Sequence, residues 1–387
     1  MYFLPYVIVL IIFAVCAVIY AQRQDNEEDA LLCTRIIWVA VGVFYIFFAF
    51  RGYAYSDWVG YSEDFKNVAW EDIFMLTDSK RSAVIHEPGF TALMCLCSIF
   101  TREYAFLVFV ITTIDVVLFL RFLKRWDVRN VPFAFMIFIT FAGVGLMFNA
   151  LRNQLAIFIF INALEYIIEK KPIKYFSLCL AALCFHSSSI IFFPLYFFLS
   201  RKLNKWLFIS LILCFIAFSV SQVSILKIIL SIMEIGGVLG EKAEIYTEYY
   251  ASAREFAPTV LLEKLGLCFL VFLFYDTLTV DKKTIVMINS LIIYLFFFYV
   301  FGEFKILSSR LSLIFIYSYW VLWIRIMGVL TVQNNKRLYG GIFFLYCLYV
   351  TIFAYNLPIQ EYDNILLGGK TQTERMKIFN KTFEDAD

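Results

Sequence analysis

Charge is scarce in this 387-residue chain: Asp, Glu, Lys and Arg make up 17% of it and sit in short segments between long apolar runs. Soluble domains carry roughly 25% charged residues, so a water-soluble globular fold is excluded. Histidine occurs only twice, and none of the nine cysteines has metal-ligand spacing with a histidine or a second CxxC. The cysteines therefore read as small apolar fillers rather than as disulfides or metal ligands. A P-loop, GxGxxG, HExxH, GxSxG, a heptad repeat and a DxD carboxylate pair are all missing, as is a basic patch suited to nucleic acid. No cofactor, metal ion or nucleic-acid partner is expected on that ground. There is no internal repeat and no linker that would divide the chain.

Apolar residues fill the space that charge leaves, at 62% hydrophobic, 20% aromatic and a mean hydropathy of +0.79. The alternating pattern of a transmembrane barrel is absent, which leaves an all-α, polytopic membrane helical bundle. Segments long enough to span, about 17–25 residues, are centred near residues 12, 42, 112, 140, 160, 217, 270, 293, 320 and 347. The first, Phe3 to Ala21, lacks a basic n-region and a small-residue cleavage site, so it reads as a span rather than a signal peptide. Pro88–Phe100 is too short for one span and Tyr175–Ser200 too short for two. About 10–12 membrane segments result, with short re-entrant or interfacial helices among them.

The basic clusters Lys124/Arg125/Arg129, Lys170/Lys171/Lys174, Arg201/Lys202/Lys205, Lys282/Lys283 and Lys336/Arg337 belong in the cytoplasm. That placement needs an even number of crossings between Lys174 and Arg201. A re-entrant pair of half-helices with His186 at its tip is one solution; a single straight span would flip everything after it. Residues 51–87 and 233–259 then face outward, together with both termini. Residues 1–362 read as one polytopic transmembrane domain and 363–387 as a short polar tail.

Four motifs carry the polar chemistry. RGYAYSDWVGYSEDF opens the first outer segment with Arg51, Asp57 and Tyr61, and HEPGF closes it. A surface carboxylate can take a proton from a sugar hydroxyl, and an arginine beside it can hold a phosphate oxygen. The plainer alternative is a polar loop whose Arg51 anchors a helix end. Glu87-Pro88 also reads as a helix start, with proline at the first helical position. In FNALRNQLA, on a single helix, Asn149, Arg152, Asn153 and Ala156 would share one face. A buried guanidinium costs roughly 2.5–3.5 kcal/mol at a bilayer centre, so Arg152 marks either a tight outer turn or an anion site. CFHSSSIIFFPLY sets His186 beside three serines in an apolar run, as a satisfied structural histidine or a functional one. Neighbours on a helix do not face each other, which argues against a Ser–His nucleophile pair. GEFKILSSRL places Glu303, Lys305 and Arg310 near an outer mouth.

In order and spacing, RGYAYSDWVGY, HEPGF, FNALRNQLA with the basic KKPIKYF, and FHSSSIIFFPLY resemble the EpsG family of Wzy-type bacterial polysaccharide polymerases. The resemblance runs from about residue 45 to 205, a little over two-fifths of the chain, with weaker echoes in SSRLSLIFIY and PIQEYDNILL. The family's glycine before the Asp is Ser56 here, and Asn153 separates Arg152 from Gln154, so Gln154 need not occupy the family's glutamine position. The resemblance implies a metal-independent, C-type-like glycosyltransferase in the bacterial inner membrane. It would join undecaprenyl-diphosphate-linked oligosaccharides, donor and acceptor alike, on the outer leaflet. Membrane lipid surrounds it, and a chain-length regulator is a partner the resemblance leaves open.

On that reading Arg152 and Arg51 bind the diphosphate, with Arg310 a weaker third. Asp57 is the first choice of base and Glu87 the second, and His186 positions a sugar or phosphate oxygen. Tyr61 lines the acceptor site, and Asn149 and Gln154 contact substrate. Two competitors stand beside it: a flippase for the same lipid-linked units, and a membrane O-acyltransferase working through His186.

Overall fold

The computed structural model describes residues 2–73, 86–221, 258–302 and 304–384. Among them every regular element is helical, and the only bridge of sheet type joins Arg51 to Asn364. Most of the second outer segment, 233–257, lies outside the described residues, as does Glu303.

The chain divides into two compact units, Met1–Tyr196 with Val332–Asp387, and Phe197–Thr331. The first unit is built on α1 (Leu4–Arg23), α2 (Ala30–Ala49), α3 (Trp58–Asn67), α4 (Pro88–Ser98) and α5 (Tyr104–Arg125). It continues with α6 (Val131–Thr140), α7 (Gly143–Asn149), α8 (Leu151–Ile161), α9 (Glu165–Ile168), α10 (Pro172–Leu183) and α11 (Phe192–Leu195). In the second unit are α12 (Lys205–Val220), α13 (Pro258–Leu273), α14 (Tyr275–Leu278), α15 (Lys282–Val300), α16 (Lys305–Leu313) and α17 (Tyr317–Val329). Finally α18 (Gln333–Ala354) and α19 (Gln372–Glu384) complete the first.

All ten expected span centres fall on helices, but not as ten straight rods. Among the described residues six helices are long and apolar enough to cross a membrane, or eight if each bent pair is one span. The pairs are α6 with α7, bent by 71°, and Leu307–Leu313 with α17, bent by 53°. At the first bend Ala142 is left-handed (φ 60°), and a Cβ at Gly143 would lie 2.3 Å from the Phe138 carbonyl oxygen. Glycine is the residue that tolerates such an approach.

Lipid is as apolar as the protein interior, so the first unit's core is held by dispersion and shape. Phe44 stacks on Phe135 at 4.2 Å between ring centres, and Phe119 meets Phe138 at 5.0 Å. Outward-facing Val18, Trp38, Val117 and Phe353 are exposed, as lipid-facing residues are.

Contacts sort the first unit into two ends. At one, the Tyr6 hydroxyl of α1 donates to Gln360 O (2.7 Å), and residues 50–55 pair with 359–365 through Gly52 N–H to Asp363 O (2.9 Å), Tyr55 N–H to Ile359 O (2.8 Å) and Ile365 N–H to Phe50 O (2.9 Å). The weak PIQEYDNILL echo is thus the strap that braces the first motif. The polar C-terminal segment is folded against it: Arg375 of α19 is buried and lies 3.4 Å from both Glu361 and Asp363. At the other end sit the basic clusters, where the Asn130 amide donates to Ala17 O (3.0 Å) and Arg125 pairs with Glu165 (2.5 Å).

α10 is 12 residues long, about 18 Å at 1.5 Å per residue, which is too short to cross a 30 Å hydrocarbon core by itself. The chain then turns back. The Tyr175 hydroxyl donates to Phe192 O (2.6 Å), and Phe176 stacks on Phe193. His186 stands at the turn, which matches the re-entrant solution rather than the single straight span.

In the second unit, the Asn289 amide of α15 holds Leu199 O and Arg201 O, each at 2.8 Å. Lys264 of α13 is buried over the Phe298 ring (4.3 Å) with Glu263 at 3.3 Å.

Candidate functional site

The tip of the α10 hairpin is met by the first turn of α4. Gly89 N–H donates to Cys184 O (2.8 Å), and a Cβ at residue 89 would lie 2.7 Å from that oxygen. The glycine of HEPGF therefore permits the close approach, and Pro88 occupies the first helical turn as the sequence implied. This contact brings Glu87 to the hairpin. Its Oε1 accepts from Ser187 N–H (2.8 Å) and its Oε2 from Arg152 Nη1 (2.7 Å), with both side chains largely buried.

Arg152 lies in the first turn of α8, where a cation opposes the helix dipole. Glu87 offsets that. The Arg152 Nε also points to the Tyr61 hydroxyl (3.4 Å), and the guanidinium lies 5.9 Å from the Tyr61 ring centre. No hydrogen bond from Nη2 occurs among the described residues, so one edge of the fork stays open. Burial pushes the Glu87 carboxyl up, but the Ser187 N–H and the Arg152 charge outweigh it and hold it below the usual carboxylate range. Burial raises the Tyr61 phenol; Arg152 lowers it and Asp57 raises it further, so both charges bear on the same hydroxyl.

Asp57 precedes α3, and its backbone is fixed from the α7 end. The Asn149 Oδ1 accepts from Asp57 N–H (2.9 Å), Ser56 N–H (3.1 Å) and the Ser56 hydroxyl (3.1 Å). The structure corrects the expectation that Asn149 and Arg152 share one helix face. The helix breaks at Ala150 (φ −138°), so Asn149 ends α7 while Arg152 begins α8. Ser56 is one of the groups that Asn149 holds.

The His186 Nδ1 accepts from Ser188 N–H (3.2 Å) and lies 2.8 Å from the Ser188 hydroxyl. Helical spacing had argued against a Ser–His contact; it forms because the chain has left the helix and His186 caps a 3-10 turn.

Arg51 and Gln154 have other partners within the first unit. Arg51 is fully sequestered: Nη1 donates to Phe48 O (2.6 Å) and to the Thr112 hydroxyl (3.0 Å), and Nη2 to Met147 O. Its guanidinium sits 4.9 Å from the Phe148 ring centre. It ties the ends of α2 and α7 together, which is the helix-anchoring alternative. Gln154 donates to Asp115 in the middle of α5. Arg310 belongs to the second unit and is exposed.

Two residues escaped the sequence reading. Asp115 is the one acid between Tyr104 and Leu120 and is buried; an ionisable side chain within a span is a signal in its own right. His86, quoted only as part of HEPGF, bonds Asp64 (Nε2–Oδ2, 2.7 Å) and lies against Tyr61 and Phe90.

The model of the EpsG family matches residues 34–366. No curated protein and no solved structure matches the chain.

Proposed function

Since this chain belongs to the EpsG family, we propose that it polymerises polysaccharide by joining undecaprenyl-diphosphate-linked oligosaccharide units at the outer face of the bacterial inner membrane. The observation that carries the proposal is the Arg152–Glu87–Ser187 junction. Three segments distant in sequence converge there on a half-buried arginine with one open edge, at the end of the unit opposite its basic clusters. By the positive-inside rule that end faces outward.

In this reading the open edge of Arg152 takes a diphosphate oxygen, reinforced by the N-terminal dipole of α8. A polyprenyl diphosphate gathers negative charge as the glycosidic bond breaks. A fixed guanidinium in a largely dry site stabilises that charge more in the transition state than in the ground state. Glu87, ionised and held below the usual range, is a weak base; its role is to aim Arg152. Asp57 is then the base for the attacking sugar hydroxyl, oriented by Asn149. Tyr61, which feels both charges, lines the acceptor side between them, and His186 positions a sugar or phosphate oxygen near the hairpin tip. Arg51 braces the ends of α2 and α7, Gln154 is bonded to Asp115, and Arg310 takes no role in this reading.

The O-acyltransferase alternative gains the Ser188–His186 contact, yet the same Nδ1 already accepts the Ser188 N–H as a cap. The flippase alternative calls for an internal repeat with paired broken helices in matching halves; the two bent pairs, α6 with α7 and Leu307–Leu313 with α17, supply one break in each unit, but no sequence repeat relates them.

The test is incubation of the purified protein with a defined undecaprenyl-diphosphate oligosaccharide, with and without a metal chelator. A ladder of lengthened products in both arms is expected. No lengthening refutes the polymerase reading, and loss of the ladder on chelation refutes metal independence.

A further inference from the structure

At the basic end of the first unit, a groove of about 350 Å³ opens between α5, α8 and α10. Leu118 and Ile173 are among its apolar walls, and Arg121, Asn162, Tyr166 and Lys174 are its polar ones. Ile173 is 82% exposed and neighbouring Val117 60%, so the groove faces the lipid side of the bundle. Residues 121–125 and 165–174 together hold six cations and two acids. Each acid pairs with a cation outside the groove, Glu165 Oε2 with Arg125 at 2.5 Å and Glu169 with Lys171 at 2.8 Å, while Glu165 Oε1 accepts no hydrogen bond among the described residues. Arg121 stands 3.9 Å from Glu165, and Lys174 lies 5.6 Å from the Tyr166 ring centre. The groove's two cations are thus only loosely engaged.

Asn162 adds a second requirement. Its amide donates to Leu118 O (2.9 Å) and Phe158 O (2.8 Å), which fixes the flip, and its Oδ1 is buried without a donor among the described residues. An occupant that fits supplies an anion to Arg121 and Lys174, a hydroxyl to Asn162, and a hydrocarbon tail to the apolar wall. We propose that this groove binds an anionic phospholipid of the inner leaflet with a polyol headgroup, of the phosphatidylglycerol type. Phosphatidylethanolamine offers a donor too, but its ammonium adds positive charge beside two cations. The site is separate from the Arg152 junction: Arg152 opens α8 and Asn162 closes it, ten residues or about 15 Å further along the helix.

The experiment is native mass spectrometry of the full chain released from mixed phosphatidylglycerol and phosphatidylethanolamine vesicles. Phosphatidylglycerol should be retained preferentially. The exposed pair Arg121→Gln with Lys174→Gln should reduce that retention about thirtyfold, as expected for two cations at a lipid phosphate. Leu118→Trp, which fills the groove and leaves every charge in place, should reduce it too. The control Lys124→Gln with Lys170→Gln should leave it unchanged. Equal retention of both lipids, or an equal loss in the control, overturns the proposal. Polymerisation is not the readout, so failure here is distinguishable from failure at the outer site.

Discussion

Replacing Gly89 with alanine tests how tightly the site depends on the meeting of α4 and the α10 hairpin. The added Cβ would fall 2.7 Å from the Cys184 carbonyl oxygen, where ordinary contact begins at 3.4 Å. The two backbones must therefore part by about 0.7 Å. The Glu87–Ser187 bond of 2.8 Å would stretch to roughly 3.5 Å, beyond useful hydrogen-bond range. Overpacking of this kind costs about 1–3 kcal/mol, which most folded proteins survive. A misplacement of about 1 Å near the chemistry can cost 10²-fold in rate. Polymerisation should therefore fall roughly tenfold to a hundredfold while the protein remains in the membrane. The assay is complementation of a strain lacking the native gene, with polymer resolved on a gel and a tagged protein quantified by blot. Gly60→Ala is the control, because nothing lies within 4 Å of its Cβ position. Full-length polymer from Gly89→Ala at wild-type abundance would refute the reasoning.

Asn149→Ala removes the acceptor of three hydrogen bonds around Ser56 and Asp57. Leaving those donors unsatisfied costs about 1–3 kcal/mol, so polymer yield should drop, whereas Asn149→Asp, which keeps an acceptor, should retain much of it. Because the folded Glu87 carboxyl is held below the usual range, its pair with Arg152 contributes stability that is present above the unfolded value of about 4.3. That stability is lost as pH falls through the lower folded value. Thermal unfolding in detergent should show this acid limb in the wild type and lack its Glu87 component in Glu87→Gln; identical profiles would remove the ion pair from the account. Arg51→Lys loses the fork that holds Phe48 O, Met147 O and Thr112, so it should lower membrane abundance and Tm before it alters polymer length per molecule. Shortened polymer at normal abundance would return Arg51 to the substrate.

The sequence made the helical membrane class plain, because long apolar runs leave no other way to satisfy backbone groups in lipid. It also made the α10 hairpin legible, since Tyr175–Ser200 cannot supply two spans and lies between basic clusters. Glu87-Pro88 announced a helix start that the structure contains. The break at Ala142 was not legible: nothing charged interrupts VPFAFMIFITFAGV, and a left-handed alanine has no sequence signature. The Glu87–Ser187 contact joins residues 100 apart, which no local pattern encodes. Arg51 and Arg152 looked alike as outer arginines; only packing shows that carbonyls surround one and leave an edge of the other open. Asp115 was visible as an acid within a span but was masked by the attention that loop motifs drew.

The central claim is that the open edge of Arg152 holds the diphosphate. It is tested most directly by comparing wild type with Arg152→Lys in the purified ladder assay, at matched folded protein. Lysine keeps the charge and loses the fork, so the account predicts that single units persist and the ladder collapses. A ladder of wild-type length and rate from Arg152→Lys would contradict it.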